Sequence, residues 1–133
     1  MAEVARRGIP LARYGDAFAV GVPTGWAIAR IGCFLVHDHP GTRSDFPLAV
    51  RYPDGPRHDL GLYDAIVLLA LSAVIWRLWR GRRLEGRLLA VLGLLYGAAR
   101  FLLDFLRASD VPYADRRYLG LTPAQYGPVP LVA

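Results

Sequence analysis

Residues Leu60 to Trp79 read LGLYDAIVLLALSAVIWRLW, a nearly continuous apolar stretch. Its length matches the roughly 20 residues that an α-helix needs to cross a bilayer. Tyr63 lies near one end, and Trp76, Arg77 and Trp79 lie at the other. Aromatic side chains and arginine are typical of helix ends at a membrane interface. The stretch therefore predicts a transmembrane helix.

Two further apolar stretches flank this one. Ala17 to Val36, AFAVGVPTGWAIARIGCFLV, contains only Arg30 as a charged residue, and Pro23 is expected to bend or interrupt its helix. Leu88 to Leu106, LLAVLGLLYGAARFLLDFL, contains the segment Gly93-Leu-Leu-Tyr-Gly97. Small residues at this spacing predict close packing of another helix.

The composition supports a membrane protein, because 54% of the residues are hydrophobic and only 20% are charged. We predict an all-α fold, a polytopic transmembrane helical bundle of about three spans. The terminal Pro128–Ala133 segment, PVPLVA, is expected to begin a fourth span. Residues 1–133 are expected to form a single membrane domain, the C-terminal part of a longer architecture. The alternative is a soluble three-helix bundle with buried apolar helices.

The net charge is +5, and all 16 basic residues are arginine. The arginines cluster beside apolar segments instead of forming a stripe with stacking aromatics, which excludes nucleic acid as the expected partner. Phospholipid headgroups are the expected anionic partners. The arginine excess before the first span and between the second and third places both segments, and the N-terminus, in the cytoplasm. The segment from His37 to Asp59 and the tail after Arg107 are then external.

Charged side chains inside apolar spans are functional candidates, because each costs roughly 2.5–3.5 kcal/mol at the centre of a membrane helix. Arg30, Arg100 and Asp104 meet this criterion. Tyr96, Arg100, Asp104 and Arg107 are spaced i, i+4, i+8 and i+11, which places them on one helix face. Two arginines and a phenol at membrane depth predict a phosphate pocket. The alternative is an intrahelical ion pair between Arg100 and Asp104, which would contribute little.

The histidines and the one cysteine suggest other chemistry. His37, Asp38 and His39, with the later His58-Asp59, contain imidazole and carboxylate groups that bind divalent metals. Their spacing places no third ligand on a helix, so we predict no metal. Cys33 lies beside Gly32 in an apolar helix and is expected to be a packing residue.

These residues fall into an ordered set of motifs. Residues 29–38, ARIGCFLVHD, resemble the signature G-R-x-G-N-F-x-N-x-E of the bacterial prolipoprotein diacylglyceryl transferases. Arg30 and Gly32 match, and Asp38 stands in place of the Glu. Cys33 stands where the signature has its first Asn.

Two further segments are similar to this family in the same order along the chain. HDLGLYD resembles H-P-x-Q-L-Y-E and keeps His58 and Tyr63, with Asp64 in place of the Glu. The tail GLTPAQYGPVP, residues 120–130, resembles the stretch G-L-T-x-x-Q-x-x-S.

The third helix resembles the family most closely. YGAARFLLDFLR corresponds to Y-G-x-x-R-F-x-x-E-x-x-R, so that Tyr96, Arg100 and Arg107 match and Asp104 replaces the Glu. Together the motifs cover residues 10–130.

The resemblance implies a multi-pass enzyme of the bacterial inner membrane. Such enzymes transfer the diacylglyceryl group of phosphatidylglycerol to the lipobox cysteine thiol of a preprolipoprotein, forming a thioether and releasing glycerol phosphate. The implied partners are phosphatidylglycerol, preprolipoprotein signal peptides and the membrane, and no cofactor is expected.

The resemblance also suggests roles for individual residues. The expected catalytic residues are Arg30, Arg100, Tyr96, Asp38, Asp104 and His58. The expected substrate-binding residues are Arg30, Gly32, Tyr63, Arg100 and Arg107. Arg30 and Arg100 would hold the phosphate and Tyr96 would add a hydrogen bond, while Asp38 and Asp104 would orient the arginines. His58 or His37 would assist proton transfer.

Family members are about twice as long, and their first spans carry a His-Gly-Gly motif whose histidine is a proposed base for the thiol. The chain therefore resembles the C-terminal half of a divergent member. Two alternatives stay open: a non-catalytic or truncated membrane homologue, and a membrane protein that binds a metal through His37, His39 and His58.

Overall fold

The computed structural model describes residues 11–112, 114 and 116–126. Its elements, in chain order, are α1 (Leu11–Val36), β1 (Pro40–Arg43), β2 (Val50–Tyr52), β3 (Gly55–Asp59), α2 (Leu60–Arg80), α3 (Leu88–Asp104) and α4 (Pro123–Tyr126). The three long helices are antiparallel neighbours along the chain, and the strands lie between α1 and α2.

Among the described residues, α1 and α2 are the two helices long and apolar enough to cross a membrane. α1 continues for 26 residues through Pro23. Of the bend or interruption predicted at Pro23, the interruption does not occur. α3 has 17 residues and ends at Asp104, before the predicted Leu106. At 1.5 Å per residue it is about 25 Å long, near the lower limit for a span. The predicted fourth span, from Pro128, lies outside the described residues.

The all-α prediction is wrong in the segment from His37 to Asp59, which contains a three-stranded antiparallel sheet in the order β1-β3-β2. β2 and β3 form a hairpin in which Val50 pairs with Arg57 and Tyr52 with Gly55. Gly55 has a φ of 123°, a conformation that glycine adopts without steric cost. The strands have only three to five residues, too few to show the apolar alternation that identifies a strand in sequence.

The core lies where the three long helices meet. Ala19 of α1, Ile75 of α2, and Leu88 and Leu92 of α3 form its buried cluster. The close packing predicted at Gly93 does not occur within the described chain, since a Cβ added there would meet nothing within 4 Å.

The close helix approach occurs at Gly61 instead. A Cβ at this position would lie 2.9 Å from the backbone nitrogen of Phe34 and 3.3 Å from the carbonyl carbon of Cys33. These distances are shorter than ordinary van der Waals contact, so only glycine fits between α2 and the last turn of α1. The first turn of α2 and the last turn of α1 are therefore neighbours, at the end of the bundle where the sheet lies.

Buried aspartates fix the starts of two helices. Oδ1 of Asp16, on α1, accepts a hydrogen bond of 2.9 Å from the backbone nitrogen of Leu88, and Oδ2 accepts from Gly86. This carboxylate caps α3 from another helix. Asp59 caps α2 by accepting from the backbone nitrogen of Leu62 at 3.0 Å. Both carboxylates satisfy backbone donors that a helix start leaves unpaired.

Candidate active site

Three helices contribute to one charged cluster near the sheet end of the bundle. Nε of Arg30 (α1) lies 2.7 Å from Oδ2 of Asp64 (α2), and the hydroxyl of Tyr96 (α3) donates to the same oxygen at 3.3 Å. The Nε–H does not point along the line to Asp64, so the contact is an ion pair without a hydrogen bond. The Asp64 side chain is only 2% exposed and that of Arg30 17%. We call Arg30, Asp64 and Tyr96 the inner cluster.

The partner of Arg30 differs from the one predicted. Asp38 was expected to orient this arginine, but its side chain is 48% exposed and bonds to the Nδ1 of His39. Asp64 takes that place because Gly61, one helical turn before it, allows α2 to approach α1 closely. The terminal Nη1 of Arg30 lies 3.9 Å from the Sγ of Cys33 and 3.4 Å from Nε2 of His39.

A second cluster surrounds Asp104, which is 1% exposed at the end of α3. Its Oδ1 lies 3.6 Å from Nη2 of Arg100 and 3.5 Å from Nη1 of Arg107. Arg107 lies beyond the helix end, and the turn after α3 brings it back to the carboxylate. The geometry therefore contains the predicted Arg100–Asp104 pair and adds a second arginine to it. We call Asp104, Arg100 and Arg107 the outer cluster.

The tail segment packs on the outer cluster. The hydroxyl of Thr122 donates to Oδ2 of Asp104. The side-chain amide of Gln125 donates to the carbonyl oxygen of Phe101 at 3.1 Å, and its oxygen accepts from the backbone nitrogen of Thr122 at 2.9 Å. Thr122 and Gln125 are each 1% exposed. The threonine and glutamine of the GLTPAQ stretch therefore hold the tail against α3.

The inner and outer clusters are neighbours along α3. Tyr96 links them, because its hydroxyl bonds to Asp64 of the inner cluster and it shares α3 with Arg100 of the outer cluster. Arg100 follows Tyr96 by one helical turn, which is the spacing that the sequence predicted for a shared face. Oδ1 of Asp64 and Oδ1 of Asp104 are buried and receive no hydrogen bond from the described residues. The region thus combines guanidinium groups with buried carboxylate oxygens that receive no hydrogen bond from the described residues.

Other predicted site residues lie elsewhere. Nδ1 of His58 is 2.6 Å from the hydroxyl of Tyr63, and the His58 ring packs against Phe46. These two residues pair with each other rather than with either cluster. A Cβ added at Gly32 would meet nothing within 4 Å, so no described residue packs closely against this glycine.

The three histidines do not form the metal site considered from the sequence. Nδ1 of His37 is 3.2 Å from Oδ2 of Asp59, which also accepts from the hydroxyl of Tyr52 at 2.7 Å. His39 and His58 have the separate partners given above. Within the described ranges the structure instead groups Cys33, Asp38 and His39, whose potential ligand atoms all lie within 4.8 Å of one another.

Arg57 holds the sheet against the segment after α3, and the sequence did not single it out. Its guanidinium donates to Oδ1 and Oδ2 of Asp110 at 2.9 and 2.6 Å, to Asp54 at 3.1 Å and to the carbonyl oxygen of Gly41 at 3.0 Å. Arg57 is 2% exposed. Its hydrogen bonds lower the pKa of Asp54 to about 2 and also lower the pKa of Asp110. Arg57 thus fixes the sheet beside the outer cluster.

Asp64 is the site residue that the sequence reasoning missed. It ends the HDLGLYD motif in place of a family glutamate, which was the available signal. The choice between Asp38 and Asp64 as the partner of Arg30 depended on helix packing, because both carboxylates lie outside the helix that carries Arg30.

Known proteins resemble this chain along most of its length. The family model described as "Prolipoprotein diacylglyceryl transferase" matches residues 1–133. Proteins named phosphatidylglycerol–prolipoprotein diacylglyceryl transferase from Pseudomonas paraeruginosa and Nitratidesulfovibrio vulgaris are 33% and 30% identical over 131 residues. These alignments cover 96% of this chain and 49% and 50% of the two relatives. The relative from Idiomarina loihiensis is 32% identical over 123 residues, 89% of this chain and 46% of its own.

No solved structure matches the chain. The chain spans about half the length of the curated relatives it matches. Since the family model matches from the first residue to the last, the chain belongs to the prolipoprotein diacylglyceryl transferase family.

Proposed function

We propose that this chain takes part in transferring the diacylglyceryl group of phosphatidylglycerol to the cysteine thiol of a prolipoprotein signal peptide. The observation that carries the proposal is the convergence of α1, α2 and α3 on one charged region. Arg30, Asp64 and Tyr96 come from three different helices and meet within hydrogen-bond or ion-pair distance. Buried charge of this kind inside apolar helices is costly and is typical of a functional site.

Arg30 and Arg100 hold the phosphate of the lipid. A guanidinium has five N–H donors in a planar fork that fits two phosphate oxygens. Asp64 lies on the Nε side of Arg30, and Asp104 lies on one Nη of Arg100. The carboxylates keep each guanidinium charged and oriented while other N–H groups face the phosphate. Tyr96 adds a hydroxyl donor beside Arg30.

The buried acceptors favour a glycerol headgroup. Oδ1 of Asp64 and Oδ1 of Asp104 receive no hydrogen bond from the described residues, and a buried acceptor without a donor is unfavourable. The glycerol of phosphatidylglycerol carries two free hydroxyl groups, which can donate to such oxygens. A headgroup without these hydroxyls leaves both oxygens without a hydrogen bond.

The chemical step is a displacement at the glycerol carbon that carries the phosphate. The thiolate forms a C–S bond as the C–O bond to phosphate breaks, and the electron pair leaves with glycerol phosphate. The arginines stabilise the charge that develops on the leaving phosphate. A thiol with an unperturbed pKa of about 8.5 is mostly protonated at neutral pH, so the acceptor sulfur must also lose its proton.

The setting is a membrane, with α1 and α2 as spans. Their outer faces expose large apolar side chains, among them Phe18, Ile28, Leu35, Ile66 and Leu69. A continuous apolar surface of this kind is unusual for a protein in water. The arginine-rich turn between α2 and α3 lies on the cytoplasmic side and the sheet on the external side. The bacterial inner membrane contains both the lipid and the signal peptides.

Thioether formation on a lipobox peptide tests the proposal. The full chain is reconstituted in vesicles of phosphatidylglycerol, and the transferred diacylglyceryl group is detected by mass spectrometry. Arg100→Ala is expected to lower the rate by about 100-fold or more, as for removal of a donor to developing charge. Arg100→Lys keeps the charge but loses the planar fork, so its rate should lie between the two.

Arg83→Ala is the matched control, because Arg83 is exposed in the turn between α2 and α3. It removes the same charge far from both clusters and should leave the rate unchanged. An undiminished rate in Arg100→Ala would overturn the phosphate role. No transfer by the wild-type chain would favour a non-catalytic membrane homologue.

A further inference from the structure

A histidine and a buried carboxylate form a pair outside the inner and outer clusters. Asp59, the residue that caps α2, is fully buried, and its Oδ2 lies 3.2 Å from Nδ1 of His37. The hydroxyl of Tyr52 donates to the same oxygen at 2.7 Å, while Oδ1 accepts from the backbone nitrogen of Leu62 at 3.0 Å. Hydrogen bonds on both oxygens therefore fix the Asp59 carboxylate in position.

The contact with Asp59 determines which nitrogen of His37 carries the proton. An ionised carboxylate can only accept, so Nδ1 of His37 carries a hydrogen and donates it. In a neutral imidazole the other nitrogen, Nε2, is then an acceptor. A buried Asp that holds the tautomer and orientation of a His is the arrangement in which the histidine acts as a general base.

The His37 ring is also held by its neighbours. It packs edge-on against Phe34, with ring centroids 5.6 Å apart, and it lies 5.2 Å from the ring of Tyr52. The backbone N–H of His37 donates to the carbonyl oxygen of Phe34 at 3.2 Å. The His37 side chain is nevertheless 42% exposed. Because Nδ1 faces Asp59, Nε2 is the nitrogen that a substrate can reach.

The other two histidines lack this combination. Nε2 of His39 lies 3.4 Å from Nη1 of Arg30, so its acceptor position is already used. Nδ1 of His58 has the hydroxyl of Tyr63 as its partner at 2.6 Å, which is not a carboxylate. Within the described part of the chain, Nε2 of His37 has no hydrogen-bond partner. His37 is therefore the histidine that combines a buried carboxylate with an available acceptor.

The His37–Asp59 pair and the inner cluster lie along the same contact between α1 and α2. Arg30 of α1 pairs with Asp64 of α2. His37 directly follows α1, and Asp59 directly precedes α2. At 1.5 Å per residue, the seven residues from Arg30 to His37 correspond to about 10 Å along the axis of α1. In a displacement the leaving oxygen and the attacking sulfur lie on opposite sides of the carbon, so a phosphate binder and a base are expected at such a separation.

We propose that His37 is the general base that removes the proton of the acceptor thiol, and that Asp59 is its positioning residue. The proposal rests on the function proposed above, which requires a deprotonated sulfur. Nε2 of His37 takes the S–H proton, and the electron pair of the sulfur forms the C–S bond. The C–O bond to phosphate breaks, and its electron pair leaves with glycerol phosphate. The imidazolium, stabilised by Asp59, then releases its proton to water.

His37→Asn tests the base with little change to the fold. Asparagine tolerates the left-handed φ of 53° at this position and keeps an amide donor for Asp59, but it has no basic nitrogen. Transfer to a lipobox peptide in phosphatidylglycerol vesicles should fall by about 100-fold or more, the usual effect of removing a general base. His58→Asn is the comparison. Loss in His58→Asn with full transfer in His37→Asn would make His58 the base and overturn the proposal.

Chemical rescue separates a base from a structural residue. His37→Gly suits the left-handed backbone and leaves the space of the ring empty. Added imidazole should restore the rate of His37→Gly by at least ten-fold, and 1,2,4-triazole, a weaker base of similar shape, should restore less. A loss that imidazole does not restore would assign His37 a structural role and overturn the proposal.

Nitrogen NMR tests the pair without a transfer assay. The full chain is labelled with ¹⁵N-histidine in detergent, and the His37 signals are assigned by their absence in His37→Asn. We expect the tautomer with hydrogen on Nδ1, and the opposite tautomer would overturn the base. A lipobox peptide should shift the Nε2 signal, while the matching Cys→Ala peptide, which has no thiol, should leave it in place.

The two assays distinguish failure of the base from failure of the function. Full transfer by His37→Asn would overturn the base and leave the proposed function intact. No transfer by the wild-type chain would count against the proposed function, and the peptide titration then decides about His37. A shifted Nε2 signal would support contact with the thiol, and an unshifted signal would overturn it.

Discussion

Nε of Arg30 lies 2.7 Å from Oδ2 of Asp64, and this ion pair joins α1 to α2. Asp64 is almost fully buried and also accepts from the hydroxyl of Tyr96, so that a single carboxylate connects three helices. Removing one partner of a buried ion pair lowers the stability of the fold by more than the intact pair contributes to it. The reason is that the other charge stays buried without compensation. The pair therefore fixes the helix arrangement on which the candidate site depends.

Asp64→Ala should destabilise the protein by about 3–5 kcal/mol, because it leaves the Arg30 guanidinium buried without its counter-charge. The free energy of unfolding is measured in detergent by denaturant titration. Asp45→Ala is the control, since Asp45 is an exposed carboxylate on the segment between β1 and β2. Equal stability of the two variants would show that the ion pair does not hold the helices together.

Gly61→Ala should cost about 1–3 kcal/mol, the usual range for overpacking. Its new Cβ would lie 2.9 Å from the backbone nitrogen of Phe34, and backbone cannot move aside as a flexible side chain can. Gly93→Ala introduces the same methyl group on a helix where nothing lies within 4 Å. It should be neutral or stabilising, since alanine favours helix more than glycine does. The two variants are compared by thermal unfolding, and a neutral Gly61→Ala would contradict the close approach.

Asp16→Ala should lower stability by about 0.5–2 kcal/mol, the usual cost of losing a helix cap. The loss should be local, because Asp16 accepts from the backbone of Leu88 at the start of α3. Amide hydrogen exchange is expected to become faster at Leu88 and to stay unchanged in the middle of α2. Asp16→Asn keeps a side-chain oxygen and should lose less. Uniform acceleration over all helices would argue against a local cap.

The Arg57 network predicts a stability change in acid. Asp54 has a pKa of about 2 in the folded protein, below its ordinary value of 3.8, and the pKa of Asp110 is lowered in the same way. A carboxylate with a lowered pKa stabilises the fold above its unfolded pKa, and this is lost as pH falls through the folded pKa.

We expect the sheet to lose stability between about pH 4 and about pH 2, and denaturant midpoints measured over that range test this expectation. Both carboxylates are about half exposed, so salt should weaken the effect. The double variant Asp54→Asn with Asp110→Asn should show a flatter pH profile. An unchanged profile would assign the acid sensitivity to other groups.

The proposed orientation can be measured directly in cells. Asp45→Cys on the sheet side and Glu85→Cys in the arginine-rich turn are each placed in a Cys33→Ser background. A membrane-impermeant maleimide added to intact spheroplasts should label Asp45→Cys only, and both variants after the membrane is opened. Labelling of Glu85→Cys in intact spheroplasts would reverse the orientation.

The sequence predicted the three long helices and the family of the chain. The family prediction is confirmed by the match over residues 1–133. Long apolar stretches and ordered motifs are local signals, so they can be recognised without knowledge of how the helices pack. The sheet was missed because its strands are short and rich in proline and charge. Pro53 and Asp54 form the turn of the hairpin between β2 and β3, and Gly55 begins β3 opposite Tyr52.

The assignment of partners within the site depended on information that no single segment carries. The sequence placed Arg100 and Asp104 together because both lie on one helix at a fixed spacing. It could not decide whether Asp38 or Asp64 faces Arg30, since that depends on how α2 lies against α1. Nor could it show that Arg57 bridges Asp54 and Asp110, which lie far apart along the chain.

By itself, the sequence determined which segments are helical and apolar, which charged residues they carry and to which family the chain belongs. Periodicity, length and motif order are properties of neighbouring residues. They therefore predict a helix regardless of how that helix packs against the others. Only the tertiary structure decided that Asp64 pairs with Arg30 and that Cys33, Asp38 and His39 converge. Those contacts depend on the close approach at Gly61 and on the chain reversal at His37. Both features are determined by how the helices pack against each other, which the sequence of one segment does not specify.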